Sequence, residues 1–276
     1  MSPGVKKKKL TKSKINCSII VSSCDSYEDL WKPFINTFNK NWKDCDLKKY
    51  FITENKELID TEFLTIKCGL NKNWTDRLLY TLSTTDDDYI ILMLEDFFLR
   101  SKIDNNKIHY FVNYIKKYNL NMIRLIKRPE GYYSNINHPE LMEIKKNDLF
   151  RVSTQATIWN KEVLKNLLEK NENIWQFEIN GTLRSKSFNN FFCVKKDVMT
   201  YRHHVVERGK WFPWYALYFG LINRVGIDLK KREIMNIFET IKWLANKLLS
   251  VPLSKLPIYL KKPIKYFAKK LKIYEN

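Results

Sequence analysis

The chain has 276 residues, 44% hydrophobic and 14% aromatic, which excludes a disordered polymer and suits one large domain with an appendage. A formal net charge of +19 calls for an anionic partner: nucleic acid, a nucleotide or an anionic membrane surface. Five cysteines without a CxxC pair exclude a disulfide framework and a zinc motif, and no run reaches the roughly 18 apolar residues of a membrane-spanning helix.

The basic character lies at the two ends. "VKKKKLTKSK" puts six lysines before Ile15, and Asp228 to Asn276 holds twelve Lys/Arg against four Asp/Glu. Polar residues follow the first lysines, which is not the pattern of a signal peptide. The expected organisation is a basic tail over 1–14, an α/β domain over 15–226 and a basic amphipathic helical tail over 227–276. The thiols read as free cysteines of a reducing compartment, with Cys17, Cys24 and Cys68 in or beside strands.

"INCSIIVSS" predicts a buried strand over Ile15–Ser23. A helix follows, with Leu30, Trp31, Phe34 and Phe38 recurring at helical spacing. "KKYFITEN" and "EFLTIKCG" are short strands, and "NWTDRLLYTLSTT" is a helix with Leu78, Leu79 and Leu82 inward. Tyr89–Leu94 is the most hydrophobic strand. Ile108, Phe111, Val112, Ile115 and Tyr118 make one helical face. "NMIRLIK" and "FRVSTQATIW" are strands, the second running into the helix "NKEVLKNLLEK". In the tail, Ile234, Ile237, Phe238, Ile241, Leu244 and Leu248 share one helical face that is expected in part to pack on the domain. Ile264, Phe267, Ala268, Leu271 and Tyr274 share another. Alternating strands and helices predict a mostly parallel sheet flanked by helices. The absence of a GxGxxG or GxxxxGK[ST] turn argues against a Rossmann dehydrogenase and a P-loop enzyme.

The acidic pair Glu95 and Asp96 interrupts apolar "DYIILMLEDFFL" at the carboxyl end of the central strand, where open α/β sheets bind ligands. A structural alternative pairs one of them with Arg77 or Arg100. Asp86–Asp88 lie at the opposite end and read as a solvated turn.

In order and spacing, "SSCDSYEDLWKPFINTFNKNW", "NWTDRLLYTL", "YIILMLEDFFL", "WQFEINGTLRS" and "RGKW" resemble bacterial-type glycosyltransferases of surface-polysaccharide and lipopolysaccharide synthesis. The resemblance spans roughly Ile15 to Gly226, with "LEDFF" and "WxFE" its most specific parts. It implies a GT-A-like, Rossmann-like fold and transfer of a sugar from a nucleotide-sugar, expected to be a UDP-sugar. The acceptor would be a hydroxyl of a glycan or lipid-linked glycan.

The resemblance also implies roles. Asp96, with Glu95 beside it, stands where such enzymes hold Mn²⁺ or Mg²⁺ against the donor diphosphate. There is no true D-x-D here, and metal-free relatives use basic side chains instead. Asp25, with Ser22 and Ser23, meets the nucleotide, although Asp25 or Ser26 equally suits a helix N-cap. Asp76 and Arg77 face the donor, or Asp76 merely favours the first turn of its helix. Glu178, which follows the aromatic Trp175 and Phe177 and precedes a Gly181 turn, is the candidate base of an inverting reaction, the plain alternative being a pair with Arg184. His203, Arg208 and Lys210 in "YRHHVVERGKW" would close on the diphosphate, or form a basic surface turn.

The lysine-rich tail suits an anionic membrane surface, so a cytoplasmic, peripherally membrane-associated enzyme is expected and nucleic acid is not an expected partner. The rival readings are a basic nucleic-acid-binding protein, for which no recognised motif appears, and a catalytically inactive GT-A-like scaffold.

Overall fold

The computed structural model describes residues 16–59, 62–128, 133–134, 137–222 and 224–245. The N-terminal lysine run and the helical faces expected over 252–276 lie outside them, as does Leu248. The chain divides into two compact units, with the boundary between Arg202 and His203.

The first unit is built on a nine-stranded sheet in the order β3-β2-β1-β4-β8-β5-β9-β7-β6. Its strands are β1 (Cys17–Ser22), β2 (Lys48–Thr53), β3 (Phe63–Lys67), β4 (Tyr89–Leu94), β5 (Met122–Arg124), β6 (Tyr133–Ser134), β7 (Leu141–Glu143), β8 (Thr157–Asn160) and β9 (Phe191–Val194). Pairing is parallel for β1 with β2 and β4, β2 with β3, and β5 with β9. β8 runs against both β4 and β5, and β7 runs against β9 and β6. Seven of the nine strands therefore run one way and only β7 and β8 the other, the mostly parallel α/β sheet that the alternating pattern predicts.

Every residue of β1 is buried, and in β4 all but Leu94, which places these two strands at the centre with both faces covered. Side chains alternate between the two faces. On one face, Ile20, Ile52, Ile90, Leu92, Met122 and Trp159 pack with Leu78 and Leu82 of α2 (Trp74–Thr84), Leu164 and Leu167 of α4 (Lys161–Leu167), and Phe177 of α5 (Ile174–Arg184). On the other, Trp31, Phe34 and Phe38 of α1 (Glu28–Asn41) meet Phe51 and Phe63 edge to face. Ile108, Phe111, Val112 and Ile115 are the buried stripe of α3 (Asn105–Lys117), while Tyr118 falls just beyond it and is exposed.

Some expectations change. The strand in "FRVSTQATIW" contracts to Thr157–Asn160, because residues 151–156 turn toward α5 before pairing begins. "WQFEINGT" is helical, capped by Asn173 and Gln176 in a reciprocal capping box. Gly181 is inside that helix, where an added Cβ would stand 3.2 Å from the Phe177 ring and 3.3 Å from Val152. Close packing, not a turn, asks for glycine there. β9 carried no earlier signal, since "FFCV" is too short a run to tell strand from buried helix. Finally, Asp86–Asp88 is not uniformly solvated: Asp86 and Asp88 are exposed, but Asp87 is buried.

In the second unit, β10 (Val206–Glu207) and β11 (Lys210–Trp211) form a hairpin whose turn residues Arg208 and Gly209 have φ of +50° and +76°. That left-handed pair is what a two-residue hairpin turn requires. α6 (Pro213–Leu217) follows and runs into a wider turn of helix over Tyr218–Ile222. Ile234 does not begin a helix. It bridges to Trp211, whose N–H donates to Glu233 O and whose carbonyl accepts from Met235 N. Helix resumes over 237–245. Its apolar face is not packed away: Ile237, Phe238, Ile241 and Leu244 are all exposed.

Candidate active site

The carboxyl ends of β1, β2, β4 and β5 converge on one sheet edge. Because β8 is antiparallel, the segment entering it, 151–156, reaches that same edge. Ser22 ends β1 in register with Leu94, the last residue of β4. Its hydroxyl is buried and has no hydrogen-bond partner among the described residues. Beyond Leu94 the backbone reverses at once: Phe97 N donates to Leu94 O at 3.1 Å and Phe98 N to Asp96 O at 2.9 Å. This turn presents Glu95 and Asp96, both half-buried, at the rim of the sheet.

One group of residues gathers beside β1 and β2. The Asp25 carboxylate accepts from the backbone N–H of Glu54 at 2.9 Å, Asn55 at 3.0 Å and Lys56 at 3.1 Å. Asp25 N donates back to Glu54 Oε2 at 3.1 Å. Neither Asp25 nor Ser26 caps α1, whose first turn has no side-chain cap; Asp25 instead organises the chain leaving β2. Arg77, buried on α2, donates to Lys72 O at 2.6 Å and approaches Glu54 Oε1 at 3.4 Å. Its Nε has no partner among the described residues. Burial pushes the Cys24 thiol above its ordinary value, the Ser26 hydroxyl opposes this, and the charges of Glu95, Arg77 and Glu54 all act on it. Cys24 thus stands within electrostatic reach of three of the groups around this corner.

A second group lies beyond β4. Glu178 Oε1 accepts from Thr154 N at 2.7 Å and from Thr154 Oγ1 at 2.8 Å. Oε2 takes no hydrogen bond from any described residue. The expected alternative partner, Arg184, belongs instead to Glu172, at 2.6 Å and 2.9 Å, and to Glu169 at 3.0 Å. Trp175 is 70% exposed, whereas Phe177 is buried against Trp74 at 5.2 Å between ring centroids.

Two residues not anticipated from sequence complete this side. Tyr201 stacks on Phe97 at 4.1 Å, donates to Gln155 Oε1 at 2.7 Å and accepts from Ala156 N at 3.1 Å. Burial pushes its hydroxyl up; the Ala156 N–H and Arg124 oppose that, and Asp96 adds to it. Arg124 ends β5 at 1% exposure. Burial lowers its pKa below the ordinary arginine value, opposed by Cys193, Tyr201, Glu178 and Asp148. A line of groups within electrostatic reach, Asp96, Tyr201, Arg124 and Glu178, therefore links the two carboxylates singled out in the sequence. Arg124 was hidden inside "NMIRLIK", where a lone charge in a strand reads as an outward-facing residue.

No protein-family model matches the chain, and no curated protein matches it. Among solved structures it is similar to S. aureus TarS 1-349 in complex with UDP-GlcNAc, at 10% identity and TM-score 0.48, covering 88% of this chain and 76% of that one. It is also similar to glucosyl-3-phosphoglycerate synthase from Mycobacterium tuberculosis in complex with phosphoglyceric acid, at 10% identity and TM-score 0.41, covering 80% and 81%. A cytidylyltransferase from Leptospira borgpetersenii matches at 13% identity and TM-score 0.40, covering 68% and 82%.

The remaining candidates have local partners. Asp76 accepts from Asn171 N at 3.2 Å and ties α2 to the segment before α5. His203, Arg208 and Lys210 belong to the second unit. Lys210 binds Glu239 at 2.8 Å and Glu233 at 3.0 Å, and the Glu239 bond raises its pKa. His203 and Arg208 are exposed. Among the described residues, no group of three or more His, Cys, Asp or Glu side chains is arranged to hold a metal. Glu95 and Asp96 offer hard oxygen donors, so an ion here would draw its other ligands from a diphosphate and water.

Proposed function

We propose that this chain is a glycosyltransferase moving a sugar, expected to be a hexose, from a nucleotide-sugar to a hydroxyl of a glycan or lipid-linked glycan of surface-polysaccharide type. The observation that carries the proposal is the division of one sheet edge into two chemically different halves around Glu95 and Asp96. Asp25, Glu54 and Arg77 lie on the β1–β2 side. Glu178, anchored through one oxygen by Thr154, lies on the β5 side. In-line, inverting displacement puts the departing diphosphate on one face of the anomeric carbon and the acceptor hydroxyl, whose proton the base takes, on the other, and a carboxylate with one oxygen held and one available suits a general base.

In this reading Ser22, Asp25, Asp76 and Arg77 form the nucleotide side, and Asp96 with Glu95 serves the diphosphate. Mn²⁺ or Mg²⁺, when bound at Asp96, would supply charge neutralisation of the departing diphosphate. His203, Arg208 and Lys210 are the basic groups proposed to assist there. The enzyme would work at a cytoplasmic membrane face, held by its basic tail; no described helix is long and apolar enough to cross a membrane.

The test is a panel of UDP-sugars assayed for hydrolysis and transfer, with Asp96→Asn beside the wild type. At least one sugar should turn over, the variant should fold and lose most of that turnover, and the product should have inverted anomeric configuration. Full activity of Asp96→Asn sinks the assignment of the acidic pair. Stabilisation by oligonucleotides with none by any nucleotide-sugar would favour a nucleic-acid-binding protein.

A further inference from the structure

Arg124 is a buried charge left without hydrogen bonds: all three guanidinium nitrogens are buried without a hydrogen-bond partner among the described residues. No described carboxylate forms an ion pair with it, Glu178 included. The fold handles a structural arginine quite differently. Arg151, equally buried, donates to Ile144 O at 3.3 Å, to Ser185 O and to Phe188 O at 2.9 Å, and lies 4.1 Å over the Phe191 ring. A buried, unpaired guanidinium is costly, and burial without partners asks for an explanation such as a missing ion.

Position narrows the explanation. Arg124 is the last residue of β5, in register with Thr157 and Cys193. Strand alternation puts it on the same face as Met122, the face that α5 covers. It is three strand steps from β1, or about 14 Å at the usual strand spacing. The nucleotide-side residues Asp25 and Arg77 are beside β1 and β2, so Arg124 is on the other side of β4, with Glu178.

We propose that Arg124 receives an anionic oxygen group, a phosphate or a carboxylate, carried by the acceptor substrate. The proposal rests on the glycosyltransferase reading and deepens it: the acceptor is an acidic glycan or a phosphate-bearing one. The planar guanidinium presents paired N–H groups that match such oxyanions bidentately. At 1% exposure the group is reached only when a neighbouring side chain moves. The unpaired charge itself favours that movement, since pairing it recovers what its burial costs. Acceptor binding would in this way draw the hydroxyl toward Glu178.

Thermal unfolding of the full chain at constant ionic strength tests this, using inorganic phosphate, acetate and UDP as separate probes. Phosphate or acetate should raise the wild-type midpoint by about 3 °C, and which of the two acts distinguishes a phosphate from a carboxylate source. Arg124→Met, close in volume but uncharged, should melt above the wild type without anion and show no response to phosphate or acetate, while keeping its response to UDP. Arg124→Lys should retain part of the anion response and guards against a folding defect in the first variant. An unchanged anion response in Arg124→Met overturns the proposal, as does a wild type that responds to neither small anion. Loss of the UDP response in Arg124→Met would move the group to the donor and overturn the acceptor assignment. No UDP response in any protein, with the anion response lost in Arg124→Met, would instead refute the glycosyltransferase reading and leave an anion site without that acceptor.

Discussion

Glu178 illustrates how a side chain acquires a role from its neighbours. Thr154 fixes one carboxylate oxygen with two hydrogen bonds, which orients the other without neutralising the group. As a base it would act in the chemical step and contribute little to donor affinity. Glu178→Gln should therefore bind nucleotide-sugar as the wild type does and transfer it about 10²–10⁴-fold more slowly; isothermal titration beside single-turnover kinetics checks both halves. A collapse of donor affinity would make Glu178 a binding residue. Glu172 has a different task. Burial pushes its carboxyl up, but hydrogen bonds from Arg184 and Asn180 prevail and hold it below the ordinary 4.5. A depressed carboxyl stabilises the fold above its unfolded pKa and loses that stabilisation as pH falls through the folded one. Glu172→Gln should lower stability at pH 7 by about 1–3 kcal/mol, and the two melting curves should converge below the ordinary glutamate range. A gap of constant size down to pH 3 would show that the charge of Glu172 is not the cause.

At the scale of elements, α5 decides the second half of the site. It carries Phe177 into the core, Glu178 to the sheet edge and Arg184 to Glu172, and its Gly181 lets Val152 approach. Filling that position has two opposed effects. Alanine gains helix propensity of about 1 kcal/mol, set against contacts of 3.2–3.3 Å that a Cβ would make. Valine has no such balance: Gly181→Val should destabilise by about 1–3 kcal/mol through overpacking. Because Val152 and Thr154 share one segment, activity should fall by more than stability alone predicts. Chemical denaturation with a parallel turnover assay measures the two separately. Stability equal to the wild type would mean that the 151–156 segment yields freely.

For the whole molecule, the membrane proposal joins two features, the +19 charge and the exposed apolar side chains. Trp214 is 75% exposed and Phe238 80%, an arrangement that suits an interface between water and lipid. Deleting residues 252–276 should reduce sedimentation with anionic liposomes, and binding of the full chain should weaken as salt rises toward a Debye length shorter than about 8 Å. Equal sedimentation of the two proteins would count against a membrane role for the tail.

How much of this was legible beforehand differs by residue. Leu30, Trp31, Phe34 and Phe38 announce α1 by spacing alone, and Tyr89–Leu94 is a strand with the predicted bounds. Period and composition report burial along one element, so they locate elements and place Glu95 and Asp96 at a strand end. Whether a polar side chain is satisfied is a different kind of fact. Asp25 meets the backbone of residues 54–56, Arg184 prefers Glu172 to Glu178, and Arg124 is left without a hydrogen-bond partner among the described residues, all facts set by separations that only the closed sheet determines. The sequence by itself determined the α/β class of fold and the place of the acidic pair at a strand end, because local periodicity and the succession of elements along the chain suffice for them. The tertiary structure alone decided which charges are paired, because pairing depends on distances between elements that no local pattern encodes.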